Sequence, residues 1–113
     1  MALWRFYAPL IAVALTALPA ASFADDPVAI GLRLKDHKFD PPEIKAPAGK
    51  AIAITLKNED EAVEEFDSTA LRMEKIVTSG GTVTIKLKPL AAGRYPFQGE
   101  YHPDIAQGVL IVE

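Results

Sequence analysis

The chain contains no cysteine among its 113 residues, which excludes disulfides and every thiolate metal site. Histidine and methionine are scarce, with two of each. No window of helical length carries an apolar stripe at helical spacing, so helices are expected to contribute little to the fold. The two histidines are His37 and His102.

The first 24 residues have the pattern of an export signal. A basic residue, Arg5, precedes an apolar run from Phe6 to Leu18, and small residues lead to an expected cleavage after Ala24. The apolar run is interrupted by proline and is shorter than the ~20 residues that a membrane span needs. We therefore expect a signal peptide at residues 1–24 and a periplasmic mature domain, residues 25–113, that does not insert into the membrane.

The mature domain is small and acidic. Removing Arg5 from the 12 basic residues leaves 11 against 15 acidic ones, a net charge of about −4, which disfavours nucleic acid or an anionic membrane as a partner. A cation is the more natural ligand. The length is enough for one domain with a single core.

The dominant hydrophobic period in this domain is two, which is typical of half-buried strands. Apolar residues alternate with polar ones, and Pro- and Gly-containing turns separate the alternating segments. The pattern predicts an all-β sandwich of about seven or eight strands. The clearest of these strands are Val28–Leu34, Glu43–Pro47, Ala51–Lys57, Thr82–Lys88, Arg94–Gln98 and Gly108–Glu113.

The strand order places most polar loops at one end of the sandwich, if neighbouring strands run in opposite directions. We call this the top end and define it as the end of the sandwich at which the strand Val28–Leu34 finishes. The loops Lys35–Pro42 and Asn58–Glu64 then share the top end, which brings His37 near Glu64. The loop Gly99–Gln107, which carries His102, joins them only if the last two strands run up and then down. Greek-key crossovers can reverse that direction.

Leu90 to Tyr95 has the form of a tyrosine corner, in which a Tyr at a strand start hydrogen-bonds back to the backbone. The motif is typical of Greek-key sandwiches. We therefore interpret Tyr95 as a structural residue and not as a redox residue.

The order of several short motifs resembles the cupredoxin family. The motifs are F-x-P-x-x-I-x-x-P-A-G-K from Phe39, K-N-E-D from Lys57, E-E-F-D-S from Glu64, L-x-x-E-K from Leu71 and G-x-Y-x-F-x-G-E-Y-H from Gly93. Within the family they look most like the small periplasmic cupredoxin-like component of bacterial ferrous-iron uptake systems, related to the cupredoxin domain of EfeO-type iron proteins. The resemblance implies a Greek-key cupredoxin-like β-sandwich.

The resemblance also locates a candidate metal site and shows how it departs from blue copper. Glu64 stands where those proteins have their first His ligand, Gly99 stands where they have Cys, and His102 matches their second His. A segment around Ala106 and Gln107 matches the usual Met position. Type 1 copper requires the thiolate, so the chain is not expected to be a type 1 copper electron carrier.

Glu64 and His102 are the leading candidate ligands for a copper or iron ion, because replacing thiolate by carboxylate hardens the site. Glu65 and Glu100 are further candidates, and His37 is a possible addition from the neighbouring loop. Each has an alternative role: the acidic residues from Glu59 to Glu65 are also what an exposed, solubilising loop contains, and His102 can bond its own loop. Met73 is more typical of the core or its rim than of a soft ligand.

Three functions remain open for this chain. The resemblance implies a metal-binding or redox module that binds Fe(II), or takes part in its oxidation, and delivers iron to an inner-membrane permease together with a second periplasmic iron-binding component. A ferrous oxidase would need an electron acceptor, and the sequence shows no complete copper site of its own. The third possibility is a metal-free sandwich that only docks partner proteins of the transport complex.

Overall fold

The computed structural model describes residues 26–113, together with positions 9, 11, 12 and 14. The signal peptide expected at residues 1–24 lies outside the described residues apart from those four positions. Among the described residues, no helix has the length and hydropathy that a membrane span requires. Residues 26–113 form nine strands: β1 Val28–Lys35, β2 Lys38–Asp40, β3 Glu43–Ala46, β4 Ile52–Asn58, β5 Glu64–Ser68, β6 Met73–Val77, β7 Thr82–Leu87, β8 Gly93–Gly99 and β9 Gln107–Val112.

The strands form two sheets, in the orders β2-β1-β4-β7 and β3-β9-β8-β5-β6. Strand β1 runs parallel to β4, β3 runs parallel to β9, and β8 runs antiparallel to β9. The last two strands therefore run up and then down, as assumed from the sequence. The loop from β8 to β9 lies at the top end with the β1–β2 turn and the β4–β5 loop.

Alternating apolar residues form the core between the two sheets. In β1, Leu32 and Leu34 are buried while the residues between and beside them are exposed, and β4 buries every second residue from Ile52 to Asn58. Successive side chains on a strand point to opposite faces, so each sheet presents one apolar face to the other. The all-β sandwich predicted from the sequence is confirmed.

Three aromatic rings pack together in the core beneath the top end. Phe66 stacks on Phe97 with ring centroids 4.9 Å apart, and Phe39 meets both edge-on. Phe66 lies two residues after Glu64 on β5, and Phe97 lies two residues before Gly99 on β8. Because side chains at i and i+2 share a face of a strand, Glu64 points into the sandwich directly above these rings.

The tyrosine corner is present as predicted. The Tyr95 hydroxyl donates to the backbone oxygen of Ala91 at 2.7 Å. The ring also packs against the core from its half-buried position. Tyr95 is therefore a structural residue that joins the loop before β8 to the sheet.

The structure has one strand more than the upper expectation, and the difference lies in the segment Lys35–Pro42. We predicted a loop there, whereas Lys35 at the end of β1 pairs across a two-residue turn with Lys38, which begins the short strand β2. A three-residue strand is too short to show a period in sequence. The consequence for the site is that His37 lies at the tip of a hairpin.

Candidate metal centre

Glu64, the first residue of β5, is a carboxylate buried in the sandwich, with 1% of its surface exposed. Its Oε1 accepts hydrogen bonds from the backbone N–H groups of Glu65 and Tyr101, both at 2.9 Å. Burying a carboxylate is costly unless hydrogen bonds compensate it. These two amides fix the position of Oε1 and leave Oε2 facing the loop between β8 and β9.

Gly99, the last residue of β8, provides the room for that carboxylate. A Cβ at this position would lie 2.7 Å from Glu64 Cδ, 2.8 Å from Glu64 Oε2 and 2.7 Å from the Cβ of Ala106. No side chain fits there while Glu64 keeps its position. The Glu64 carboxylate therefore fills the space at the position where the family resemblance places a cysteine.

His102 lies in the β8–β9 loop, directly over Glu64. Its Nδ1 donates to Glu64 Oε2 at 2.7 Å. The loop around it is tightly turned, because the His102 amide donates to the Gly99 oxygen and its own oxygen accepts from the amides of Ile105 and Ala106. Part of the imidazole, 30% of the side chain, remains exposed to solvent.

His37 reaches the same place from the other sheet. Its ring stacks on the ring of His102, with centroids 3.8 Å apart and the planes 20° from parallel. The residue lies at the tip of the β1–β2 hairpin with a positive φ of 58°. Both histidines and the buried glutamate therefore meet at the top end, as expected from the strand order.

His37, Glu64 and His102 each offer a ligand atom, and these atoms lie within 4.8 Å of one another. Donor atoms bound to one ion at about 2.1 Å lie at most about 4.2 Å apart, and an imidazole nitrogen binds a metal in the plane of its ring. The donor atoms must therefore move closer together, and one of the two stacked rings must turn, before both histidines can bind the same ion. Two imidazole nitrogens and one carboxylate oxygen are donors that suit Fe(II), Cu(II) or Zn(II). The residues present fit a transition-metal ion.

Glu65 and Glu100, the other two candidates from the sequence, lie outside this group. Glu65 follows Glu64 on the strand and so points to the opposite face, where its Oε2 accepts a hydrogen bond from the Tyr101 hydroxyl at 3.3 Å. Glu100 is exposed, and its Oε2 accepts from Gln98. The structure places both on the outer surface of the β5–β8 region.

These outer carboxylates influence one another and the neighbouring tyrosine. The pKa of Glu100 is raised above its ordinary value, first by its side-chain hydrogen bond with the Asp67 carboxyl and then by the negative charge of that group. The pKa of Tyr101 is raised by partial desolvation and by the charge of Glu65. The negative charges of this surface therefore favour the neutral forms of Glu100 and Tyr101.

Two residues that the sequence did not identify shape the centre. From the sequence, Gly99 was noted only because it matches the cysteine position of the cupredoxin family. Asp60 was counted only among the acidic residues of an exposed loop. The Asp60 carboxylate in fact accepts hydrogen bonds from the turn that carries His37. The pair Asp36-His37, flanked by Lys35 and Lys38, is a sequence signal for a two-residue hairpin turn. Met73 packs against the core.

The fold and the centre define a class: a two-sheet β-sandwich of cupredoxin type with an N₂O donor group, instead of a thiolate, at one end. The family model described as a cupredoxin-like domain matches residues 7–112. The chain belongs to the cupredoxin-like domain family. A curated relative, an uncharacterized protein of Rickettsia prowazekii, is 39% identical over 88 residues, which cover 78% of this chain and 70% of the relative.

Solved structures similar to this chain include several copper proteins. Auracyanin A, a blue copper protein of Chloroflexus aurantiacus, superposes with a TM-score of 0.67 at 20% identity over 78% of this chain and all of its own. The metal-binding domain of the Streptococcus pneumoniae Cu(I)-exporting ATPase gives 0.65 at 16% identity, over 75% of this chain and 84% of the domain. At these identities the similarity establishes the fold alone.

Proposed function

We propose that this protein binds one transition-metal ion through His37, Glu64 and His102, as an exported, thiolate-free component of a ferrous-iron uptake system. The observation that carries the proposal is the convergence of two imidazoles and a buried carboxylate within 4.8 Å. The β1–β2 turn, the start of β5 and the β8–β9 loop supply them from both sheets.

The donor set favours iron or oxidised copper over Cu(I). Two histidines with one carboxylate is a combination that holds Fe(II) with open positions, whereas Cu(I) prefers sulfur ligands. Cu(II) is expected to bind more tightly than Fe(II) in solution, following the general order of divalent metals. Selection of iron in the cell would then depend on which ion is available and on the proteins that deliver it.

The role in iron uptake rests on the motifs E-E-F-D-S and G-E-Y-H, which resemble those of the ferrous-iron cupredoxins. By that resemblance the protein binds Fe(II), or takes part in its oxidation, in the periplasm. It then delivers iron to an inner-membrane permease with the help of a second periplasmic iron-binding component. The copper named for the structural neighbours supports copper as the alternative ion.

Turnover as a ferrous oxidase would require an electron acceptor in addition to the iron. Within the part of the chain that the structure describes, one group of three metal-ligating side chains is present. That group can hold either the iron or a copper acceptor, and not both at once. A partner would have to supply the other centre, so binding and delivery are the primary function we propose.

A metal-free docking module is the second candidate, and one observation favours it. The Glu64 carboxylate already accepts three hydrogen bonds, from two backbone amides and from His102. An ion must therefore compete with the His102 bond to reach Oε2. A purely structural Glu64–His102 pair would have the same geometry.

Titration of the purified, metal-free protein with Fe(II) under anaerobic conditions, and with Cu(II) and Mn(II), separates the two candidates. Glu64→Gln is the sharpest variant, because its amide keeps the shape and can still accept from both backbone amides and donate to His102. We expect one ion per chain in the wild type. Metal affinity should fall by more than about 100-fold in Glu64→Gln and His102→Ala, because removing a residue that only supports a ligand already lowers the affinity by about 10–100-fold.

Glu100→Gln is the matched control, because Glu100 is an exposed carboxylate on the β8–β9 loop that carries His102. This variant should bind metal like the wild type. Absence of binding in the wild type, or binding that Glu64→Gln leaves unchanged, would contradict the proposed centre and leave the docking module as the remaining candidate. The iron role has its own test: Glu64→Gln introduced in the cell of origin should slow Fe(II) uptake. Unchanged uptake would contradict it.

A further inference from the structure

The hairpin turn that carries His37 has an unusual composition for its geometry. Lys35 pairs with Lys38, so Asp36 and His37 form a two-residue turn in which both φ values are positive, at 52° and 58°. This is the backbone of a type I′ turn, which favours Asn-Gly or Asp-Gly because a Cβ disfavours the left-handed region. A histidine in the second position requires compensation from elsewhere in the fold.

Asp60, in the loop between β4 and β5, provides that compensation. Its Oδ1 accepts from the Asp36 amide at 2.7 Å, and its Oδ2 accepts from the His37 amide at 2.9 Å. The side chain is largely buried, with 12% exposed. One carboxylate therefore holds both amides of the turn from 23 and 24 residues away.

Asp60 is itself held in place by the surrounding backbone and side chains. Its amide donates to Asn58 Oδ1 at 2.9 Å, and its backbone oxygen accepts from the Ser79 hydroxyl at 2.8 Å. Asn58 is fully buried, and its amide group donates to the backbone oxygens of Ala62 and Val77. The carboxylate of Asp60 thus has a fixed position relative to β4 and β6.

We propose that Asp60 is a positioning residue, which clamps the left-handed Asp36-His37 turn and so holds the imidazole of His37 against that of His102. Asp60 acts through the turn, because both of its carboxylate oxygens accept from the turn amides, and it is absent from the group of donor atoms formed by His37, Glu64 and His102. The consequence for metal affinity rests on the proposed function, whereas the stacking of the two rings does not.

The first measurement concerns the metal-free protein. In Asp60→Asn one of the two turn amides loses its acceptor with almost no change in volume. We expect the nuclear Overhauser contacts between the His37 and His102 ring protons to disappear, together with the ring-current shifts that the stacking produces. Glu59→Gln is the matched control: its carboxylate lies near Arg33 and not at the turn, so the contacts should remain.

A rescue variant separates positioning from general damage to the loop. Asn is the favoured first residue of a type I′ turn, so Asp36→Asn added to Asp60→Asn should restore part of the ring contacts. Ring contacts that survive in Asp60→Asn alone would overturn the proposal. So would contacts that remain lost in the double variant while urea unfolding shows an intact fold.

The second measurement is a double-mutant cycle on the affinity for Cu(II) added as the simple ion. Asp60→Asn should weaken binding by about 10–100-fold, as expected for a residue that orients a ligand, and it should have no further effect in a His37→Ala background. Equal weakening in both backgrounds would show that Asp60 acts on another part of the site. If the wild type binds no ion but Asp60→Asn still abolishes the ring contacts, the proposed function fails and the positioning role stands.

Discussion

Glu64 and Gly99 occupy a single space between β5 and β8, which only one side chain can fill. A Cβ at position 99 would come within 2.8 Å of both the Cδ and the Oε2 of Glu64. The identity of the ligand at position 64 and the absence of a side chain at position 99 are therefore linked. A carboxylate centre at this point of the fold requires both.

This linkage predicts the effect of Gly99→Ala. The added methyl must displace the Glu64 carboxylate or the side chain of Ala106, and overpacking of this kind costs about 1–3 kcal/mol. We expect the free energy of unfolding in urea to fall by that amount and metal affinity to fall with it. Gly31→Ala is the control, because a Cβ at this exposed position of β1 meets nothing within 4 Å. Equal stabilities for the two variants would contradict the linkage.

The residues of the centre were only partly predictable from the sequence. Glu64 and His102 were selected from the family resemblance and His37 as an addition from the adjoining loop, and the structure brings the three together. Strand order placed the loops of His37 and Glu64 at the top end, but it placed the loop of His102 there only with an assumed direction for the last two strands. Glu65 was selected with them, although residues adjacent on a strand face opposite ways. The clamp by Asp60 could not be derived, since it depends on a tertiary contact between two turns that are distant in sequence. That the three neighbours bind a metal is still a prediction.

At the scale of elements, the hairpin β1–β2 places His37 at the top end, whereas the tyrosine corner before β8 lies at the opposite end, where the Gly49 amide donates to the Leu90 oxygen. Six strands were named from alternation over five or more residues, and β5 and β6 were not among them. Strand β2 was missed because Lys38–Asp40 is too short to show a period, and only its pairing with β1 defines it. The tyrosine corner was predicted because it is a local motif with fixed spacing.

The corner makes a quantitative prediction. Tyr95→Phe removes the hydroxyl that donates to Ala91 at 2.7 Å and retains the ring. We expect a loss of about 0.5–1.5 kcal/mol, the net value of a typical hydrogen bond, measured by urea unfolding. Tyr101→Phe is the matched control, because its hydroxyl makes a longer bond of 3.3 Å to the Glu65 side chain. A Tyr95→Phe variant as stable as Tyr101→Phe would contradict a structural role for the corner.

At the scale of the whole molecule, the fold class followed from composition and period, and the direction of β8 and β9 required the structure. The parallel pairing of β3 with β9 fixes that direction, and sequence does not reveal which strands become neighbours within a sheet. Export is the whole-molecule property that stays a prediction from the N-terminal pattern.

Export is tested by expressing the full chain in a bacterial host and measuring the intact mass of the protein recovered from the periplasm. We expect a chain that begins at Asp25, because small residues before the cut fit the cleavage pattern. Ala24→Trp should block processing, since a large residue is incompatible with that pattern. A recovered wild-type protein that retains residues 1–24 would contradict the signal peptide.

Both ends of the folded domain lie away from the metal centre. The amide of Val28 at the start of β1 donates to the oxygen of Ala51, and Glu113, after β9, exchanges backbone hydrogen bonds with Ala46 and Ala48. These contacts lie at the end of the sandwich opposite His37 and His102. An affinity tag, a fused domain or a link to an electrode surface can therefore be attached at either terminus, and the centre will face the solution.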